Sequence, residues 1–226
     1  MDKLIVKSRP KDVPAFNLNG FAQEGMIKNY FMDTNACLVV KYFSNERSQS
    51  NRWNEEELII ENILESESNP GATDSSEVSF AALDNAAELA ALYAEVFKLY
   101  PTPIQETDYI KKTMEEGTLY VYIREEGRIV SAASAEINSK YKNAELTDCA
   151  TTGQGQGKGH MKKLLTALEA KLESRDIHCF YTIARAESYG MNNAFYQLGY
   201  TYGGRLIKNC FIYSGIEDMN VWYKNI

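Results

Sequence analysis

From Glu145 to Leu172 the chain reads ELTDCATT, GQGQGKGH and MKKLLTALEAKL, and this stretch restricts the fold more than any other. Two carboxylates lie on a segment with strand patterning. Gly153, Gly155, Gly157 and Gly159 follow at alternate positions, and a helix pattern starts at once. In that pattern Met161, Leu164, Leu165, Leu168 and Leu172 share one face. A strand, glycine turn and helix in this order build an anion cradle. Peptide N–H groups in a glycine turn point inward, and the first helical turn adds N–H groups without intrahelical partners and the positive end of the dipole. A phosphate-bearing cofactor is the expected guest.

The rest of the chain supplies a frame for this unit. Its 226 residues, 44% of them hydrophobic, suffice for one large domain with an appendage. From Glu65 to Ser76 the sequence ESESNPGATDSS is poor in apolar residues, so a linker is expected at 65–77, between an N-terminal extension at 1–64 and a main domain at 78–226. In the extension, Leu4 to Val6 reads as a strand, Met26 to Phe31 and Ala36 to Phe43 as a hairpin, and Asn54 as the cap of a helix ending at Leu64. In the main domain Val78 to Leu83 reads as a strand, and Asn85 with Glu88 as a capping box opening a helix whose apolar face includes Leu89, Tyr93 and Tyr100. A helix at Thr107 to Glu116 follows, then strands at Thr118 to Arg124, Arg128 to Ile137 and Ala144 to Thr151. After the glycine turn and its helix come a buried strand at Cys179 to Ala184, a short helix at Met191 to Leu198, and strands at Arg205 to Tyr213 and Asp218 to Lys224. The expected fold is α/β: a mixed sheet flanked by helices, with a small α+β extension.

One echo runs between the two parts. Gly20-Phe21, Gly25 and Ile27-Lys28-Asn29 are matched by Gly199-Tyr200, Gly204 and Ile207-Lys208-Asn209. The extension is either a remnant half-repeat of the main domain's end or a second instance of a common glycine–aromatic hairpin.

Several classes are disfavoured. A formal charge of -7 argues against a nucleic-acid surface and permits a cationic small substrate. Cys37, Cys149, Cys179 and Cys210 are widely spaced, so neither a metal site nor a disulfide framework is signalled. No stretch approaches membrane-spanning length, and a cytoplasmic location is expected. A magnesium-nucleotide P-loop fails on detail. The spacing from Gly153 to Gly157-Lys158 is one residue short, and Gly159 stands where a Ser or Thr must ligate the metal.

The element order and the glycine loop from Val78 to Lys224 resemble the GNAT superfamily of acyl-CoA-dependent N-acyltransferases. The family's loop has Arg or Gln, two residues, Gly, one residue, then Gly or Ala. Gln154-x-x-Gly157-x-Gly159 matches to the letter, while Gln156-x-x-Gly159-x-Met161 places Leu164-Leu165 where the helix turns inward, and the second phase is preferred. ELTDCAT, GKGHMKKLL, YTIARAESYGMN, LGYTYGGRL and MNVWYK together resemble β-lysine N-acetyltransferases, which make the compatible solute Nε-acetyl-β-lysine. The resemblance implies acetyl-CoA as co-substrate, no metal and a small amine acceptor, and it allows a homodimer. It implies acyl-CoA contacts at Cys149, Ala150, Thr151, Gln156, Gly157, Lys158, Gly159, His160, Met161 and Ser188. His160 has a second reading, as a solvent-facing side chain. Where many members carry a tyrosine acid this chain has Phe195, with Tyr196 one residue on.

The chemistry asks for a base, because a lysine-type amine has a pKa of about 10.4 and arrives as ammonium. Glu145 is the first candidate, and Asp148, expected on the opposite strand face, is the second, with a substrate contact as its other reading. The alternative for the pair is that one carboxylate is solvated or caps a neighbouring strand. Arg185 and Arg205 are candidates for the acceptor carboxylate, because guanidinium suits bidentate binding. Surface ion pairs are their bland alternative. A non-catalytic acyl-CoA sensor is the rival from another class, and it would tolerate loss of both carboxylates.

Overall fold

The computed structural model describes residues 2–68, 74–212 and 215–226. In chain order its elements are β1 (Lys3–Ser8), α1 (Val13–Leu18), β2 (Ala22–Ile27), β3 (Ala36–Tyr42), α2 (Trp53–Glu65), β4 (Ser79–Phe80), α3 (Ala86–Val96), α4 (Thr107–Glu115), β5 (Leu119–Glu125), β6 (Arg128–Asn138), β7 (Asn143–Thr151), α5 (His160–Glu173), β8 (Cys179–Arg185), α6 (Tyr189–Gln197), β9 (Thr201–Ile212) and β10 (Gly215–Asn225). The strands form one sheet in the order β1-β3-β2-β9-β10-β8-β7-β6-β5-β4. Every pairing is antiparallel except β7 with β8. The expected mixed sheet flanked by helices is therefore what forms. Part of the expected linker, residues 69–73, lies outside the described residues, as does Tyr213 at the end of the penultimate expected strand.

Three apolar clusters hold the layers. Leu164, Leu165, Leu168 and Leu172, the stripe read from the sequence, pack with Ile60, Ile63, Phe195 and Trp222 and so join α5, α2 and α6 to the sheet. Leu89, Leu92, Tyr93 and Ile110 join α3 and α4 to Tyr120, Ala132 and Ala150. The third cluster unites Ile27, Leu38 and Val40 of the N-terminal strands with Tyr181, Leu206, Met219 and Val221.

The N-terminal strands join the sheet at one close seam, where Gly25 of β2 faces Gly204 of β9. A Cβ on Gly203 would stand 2.4 Å from the Met26 carbonyl oxygen, and one on Gly204 2.4 Å from that of Glu24. Gly204 also has φ +121°, which L side chains rarely adopt. About this seam the order β1-β3-β2 mirrors β8-β10-β9, with α1 and α6 in equivalent connections. Of the four glycines in the sequence echo, Gly25 and Gly204 are the two that meet.

Three local expectations are corrected. The first hairpin strand, expected at Met26 to Phe31, lies at Ala22–Ile27, because Asn29 and Met32 take positive φ (+57° and +70°) and turn the chain; α1 before it buries none of its residues, so no apolar period announces it. Helix α2 starts at Trp53, ahead of the expected cap Asn54. Asn85 makes no side-chain cap to α3; its Oδ1 accepts the Ala82 N–H at 2.9 Å, while Glu88 takes a two-armed ion pair from Arg124 at 2.6 and 2.9 Å. Charge-assisted bonds to guanidinium are stronger than a neutral cap.

Candidate active site

The parallel pair β7–β8 is the origin of the site. Its register runs only from Asn143↔Cys179 to Glu145↔Tyr181, after which the strands part. The physical cause lies in β7, where Ala132↔Ala150 and Ser134↔Thr147 leave Asp148 and Cys149 opposite Ala133 alone. This is a β-bulge, and Asp148 sits in it with φ +51°. A bulge bends its strand and increases its local twist, which here carries the peptide edge of β7 away from β8. The gap opens into a cleft of about 930 Å³ lined by Thr147, Asp148, Cys149 and Thr151 on one side and Thr182–Arg185 on the other. Tyr100, Phe195 and the glycine loop close it.

Asp148 is the cleft's principal ionisable group. It is 8% exposed, and its two carboxylate oxygens accept hydrogen bonds from Tyr100 Oη at 2.8 Å and Ser134 Oγ at 2.6 Å. Burial raises its pKa to about 6, and the two hydroxyl donors restrain that rise. Burial beside Asp148 pushes Tyr100 well above its ordinary range, so it stays a phenol donor. The expectation that Asp148 faces away from Glu145 is corrected. Ser134 lies two residues from Glu136, which pairs with Glu145, so the Asp148 carboxyl shares the face of Glu145. The bulge inserts one residue and inverts the strand's alternation.

Glu145 stands one step from the opening, on the last paired level of β7 and β8. It is half-buried and outside the cleft lining. Burial raises its pKa, against the pull of Lys7 and of a hydrogen bond from Tyr181. Lys7 Nζ in turn donates to Tyr181 Oη at 2.9 Å.

The glycine loop forms the cleft's other end. Gly157 and Gly159 have φ +78° and +76°, and Gly159 is the N-cap of α5. The first backbone bond of the helix is Lys163 N–H to Gly159 O at 3.3 Å, so the amides of His160, Met161 and Lys162 precede the intrahelical ladder. These three residues, with Gln156, Gly157 and Gly159, line the cleft, so the fold presents N–H donors there and fits a pyrophosphate. Gln156 lines the cleft and Gln154 does not.

Glu125, at the end of β5, went unnoticed in the sequence. Its carboxylate takes Lys158 Nζ at 2.7 Å and His160 Nε2 at 3.0 Å, bracing the loop from beneath. Lys158 accordingly faces Glu125 instead of the cleft. His160 is 5% exposed, which corrects its solvent-facing reading. Tyr100 and Ser134 were also missed, because one residue of fifteen tyrosines and a strand serine carry no spacing signal before a bulge brings them together.

The remaining expected residues divide. Cys149, Thr151, Arg185 and Ser188 line the cleft. Ala150 packs against α3, with its carbonyl accepting from Ser131 Oγ at 3.1 Å. Arg185 lines the cleft while held by Glu217 at 2.5 and 3.0 Å. Arg205 lies outside the lining, 4% exposed, against Trp53, Glu57 and Asn220. Phe195 is fully buried, and Tyr196 donates to the Ser66 carbonyl at 3.0 Å. Burial pushes the Cys149 thiol far up, so it is a poor nucleophile. Among the described residues no three His, Cys, Asp or Glu side chains are placed to share a metal ion, and no helix is long and apolar enough to cross a membrane.

Comparison with known proteins bears on this geometry. Residues 84–200 match the model of the acetyltransferase (GNAT) family. A Bacillus subtilis protein named N-acetyltransferase YodP is 40% identical over 231 aligned residues, covering 100% of this chain and 82% of that protein. A β-lysine N(6)-acetyltransferase of Methanosarcina mazei is 36% identical, covering 98% of this chain and 90% of that protein. One of Methanococcus maripaludis is 35% identical, covering 99% and 82%. Among solved structures, a putative acetyltransferase of Salmonella typhimurium with acetyl-CoA has a TM-score of 0.55 at 15% identity, covering 66% of this chain and 92% of that one. A ribosomal-protein-S5-alanine acetyltransferase of Vibrio fischeri has a TM-score of 0.57 at 12% identity, covering 69% and 95%. These two likenesses concern the fold.

Proposed function

Because this chain belongs to the GNAT acetyltransferase family, we propose that it moves the acetyl group of acetyl-CoA to the side-chain (N6) amine of β-lysine. The product is the compatible solute Nε-acetyl-β-lysine, and transfer is direct, with both substrates bound together. The observation that carries the acceptor assignment is the match, over nearly the whole chain, to two proteins named for this reaction. The cleft supports the chemistry with its own groups.

Acetyl-CoA supplies an acyl group activated as a thioester. The amides of His160, Met161 and Lys162, with the loop from Gln156 to Gly159, hold the pyrophosphate. The unpaired edge of β7 around Cys149 offers peptide N–H groups for a developing oxyanion. Asp148 takes the proton from the acceptor ammonium. Of the carboxylates that line the cleft, Glu95 is half-exposed and paired with Arg128, whereas Asp148 is buried; its pKa of about 6 leaves it mostly ionised at neutral pH, and Tyr100 and Ser134 fix its orientation. Glu145, on the same face of β7, is a second carboxyl near this site. The Cys149 thiol, pushed far up by burial, argues for direct transfer over an acyl-cysteine route.

The test is CoA-thiol release with β-lysine, α-lysine, spermidine and a lysine peptide as acceptors. Fastest release with β-lysine, and a product acetylated at N6 by mass spectrometry, is the expected result. Preference for spermidine or the peptide refutes the acceptor, and no release with any amine would favour a non-catalytic acyl-CoA sensor.

A further inference from the structure

The wall between β8 and α6 is tied to the N-terminal segment by a chain of buried side chains. Arg185 and Ser188, at either end of this wall, line the cleft. Asn192, fully buried on α6, donates through Nδ2 to the carbonyls of Arg185 at 2.9 Å and Ser188 at 2.8 Å. Its Oδ1 accepts from Asn220 Nδ2 at 3.0 Å and Trp222 Nε1 at 2.8 Å. A side-chain amide has two donors and two acceptor positions, so Asn192 is saturated, and the Trp222 donor fixes which way the amide points. Asn220 Oδ1 accepts Arg205 Nε at 3.0 Å. Arg205 ends the chain on the first turn of α2, donating to the Trp53 carbonyl at 3.3 Å, pairing with Glu57 at 3.1 Å, and lying 4.6 Å from the Trp53 ring centroid. Glu56 approaches Arg205 at 3.8 Å, but burial and the neighbouring Asp218 raise its pKa to about 8, so near neutrality the acid form dominates and Glu57 carries the countercharge.

We propose that Arg205, acting through Asn220 and Asn192, is a positioning residue that sets the cleft wall from Arg185 to Ser188 on helix α2, so that the N-terminal segment is part of the machinery for acyl-CoA binding. Arg205 is therefore not a contact for the acceptor carboxylate. An outer tie runs in parallel from Arg52 to Glu187. That pair is solvent-exposed, and such pairs contribute little. The buried relay carries the effect because its polar atoms have no water to turn to when one partner is removed. The inference rests on the cleft being the acetyl-transfer site.

The test compares wild type, Arg205→Lys, Asn192→Asp and Arg52→Ala in the full chain. Lysine keeps the charge near Glu57 but loses the planar fork that reaches Asn220 and Trp53 together. Aspartate keeps the shape of Asn192 but sets oxygen against the two wall carbonyls. The measurements are KM for acetyl-CoA and for β-lysine, kcat, CoA affinity by calorimetry, and the thermal midpoint. For Arg205→Lys and Asn192→Asp the acetyl-CoA KM is expected to rise roughly ten-fold, with CoA affinity falling in parallel and kcat within about three-fold. Arg52→Ala is expected to stay within about two-fold in each. A merely structural role lowers the thermal midpoint and the active fraction, hence apparent kcat, while leaving KM and CoA affinity unchanged. That result overturns the proposal. A rise confined to the β-lysine KM, with CoA affinity intact, also overturns it and returns Arg205 to the acceptor. If Asn192→Asp does not fold, Arg205→Lys decides alone. If the wild type turns over no amine, the functional reading fails, and CoA affinity still decides the relay.

Discussion

Replacing Asp148 with asparagine separates its charge from its shape. Asp148 lies at φ +51°, where asparagine is among the few residues tolerated, so Asp148→Asn keeps the bulge whereas alanine would strain it. With a pKa of about 6 against an ordinary 3.8, the carboxylate is about 90% ionised at pH 7 and about 10% at pH 5. If it is the base, kcat/KM at pH 5 falls about ten-fold below that at pH 7; with an unshifted pKa the same interval would cost under about 10%. The acceptor amine adds its own titration, which divides out in the ratio of wild type to Asp148→Asn. That ratio is expected to be roughly 10² to 10⁴ at pH 8 and to shrink as pH falls through about 6. Stability moves the other way. A carboxyl whose folded pKa is raised favours the fold most below 3.8, and that contribution is lost as pH rises through about 6. Ionising Asp148 in place thus costs about 3 kcal/mol by pH 7, so Asp148→Asn is expected to be as stable as wild type or more so. Steady-state rates from pH 5 to 9, paired with urea unfolding, test both halves. A flat ratio across pH, or a variant within five-fold of wild type, would refute Asp148 as base and return the role to Glu145.

Other perturbations probe the remaining parts. Cys149→Ala should leave kcat within about five-fold and no acetylated cysteine should be trapped by intact-mass measurement, because burial holds the thiol protonated. Glu125→Gln removes the charge that braces Lys158 and His160, so the acetyl-CoA KM is expected to rise roughly three- to ten-fold in initial-rate assays, with the β-lysine KM unchanged. Gly204→Ala places a Cβ 2.4 Å from the Glu24 carbonyl oxygen and 2.8 Å from the Gly25 Cα, at φ +121°. Rigid backbone on both sides leaves no room, and calorimetry should show a loss of about 2 kcal/mol or more.

The strand, glycine turn and helix from Glu145 to Leu172 could be read directly because their determinants are local. The leucine period of α5, the glycines able to take positive φ and the free amides of a helix start are properties of neighbouring residues, and they shape the glycine-loop end of the cleft. The end of the cleft around Asp148 was not legible in the same way. Strand alternation put Asp148 on the wrong face, because a bulge opposite Ala133 adds a residue that no pattern in β7 announces. Tyr100 and Ser134, forty-eight and fourteen residues away in sequence, become its partners only when the segment after α3, which ends at Val96 and not at the expected Tyr100, and β6 pack beside it. Arg205 shows the same limit. Its guanidinium suits a substrate carboxylate, and only the sheet order, which brings β9 and β10 under α2, turns it toward Trp53 and Asn220. The sequence alone determined most of the elements and the glycine loop that lines the cleft, since each depends on residues close in the chain. Which carboxylate enters the cleft, and which arginine is spent inside the fold, depended on pairings between distant strands, and those exist only once the sheet has formed.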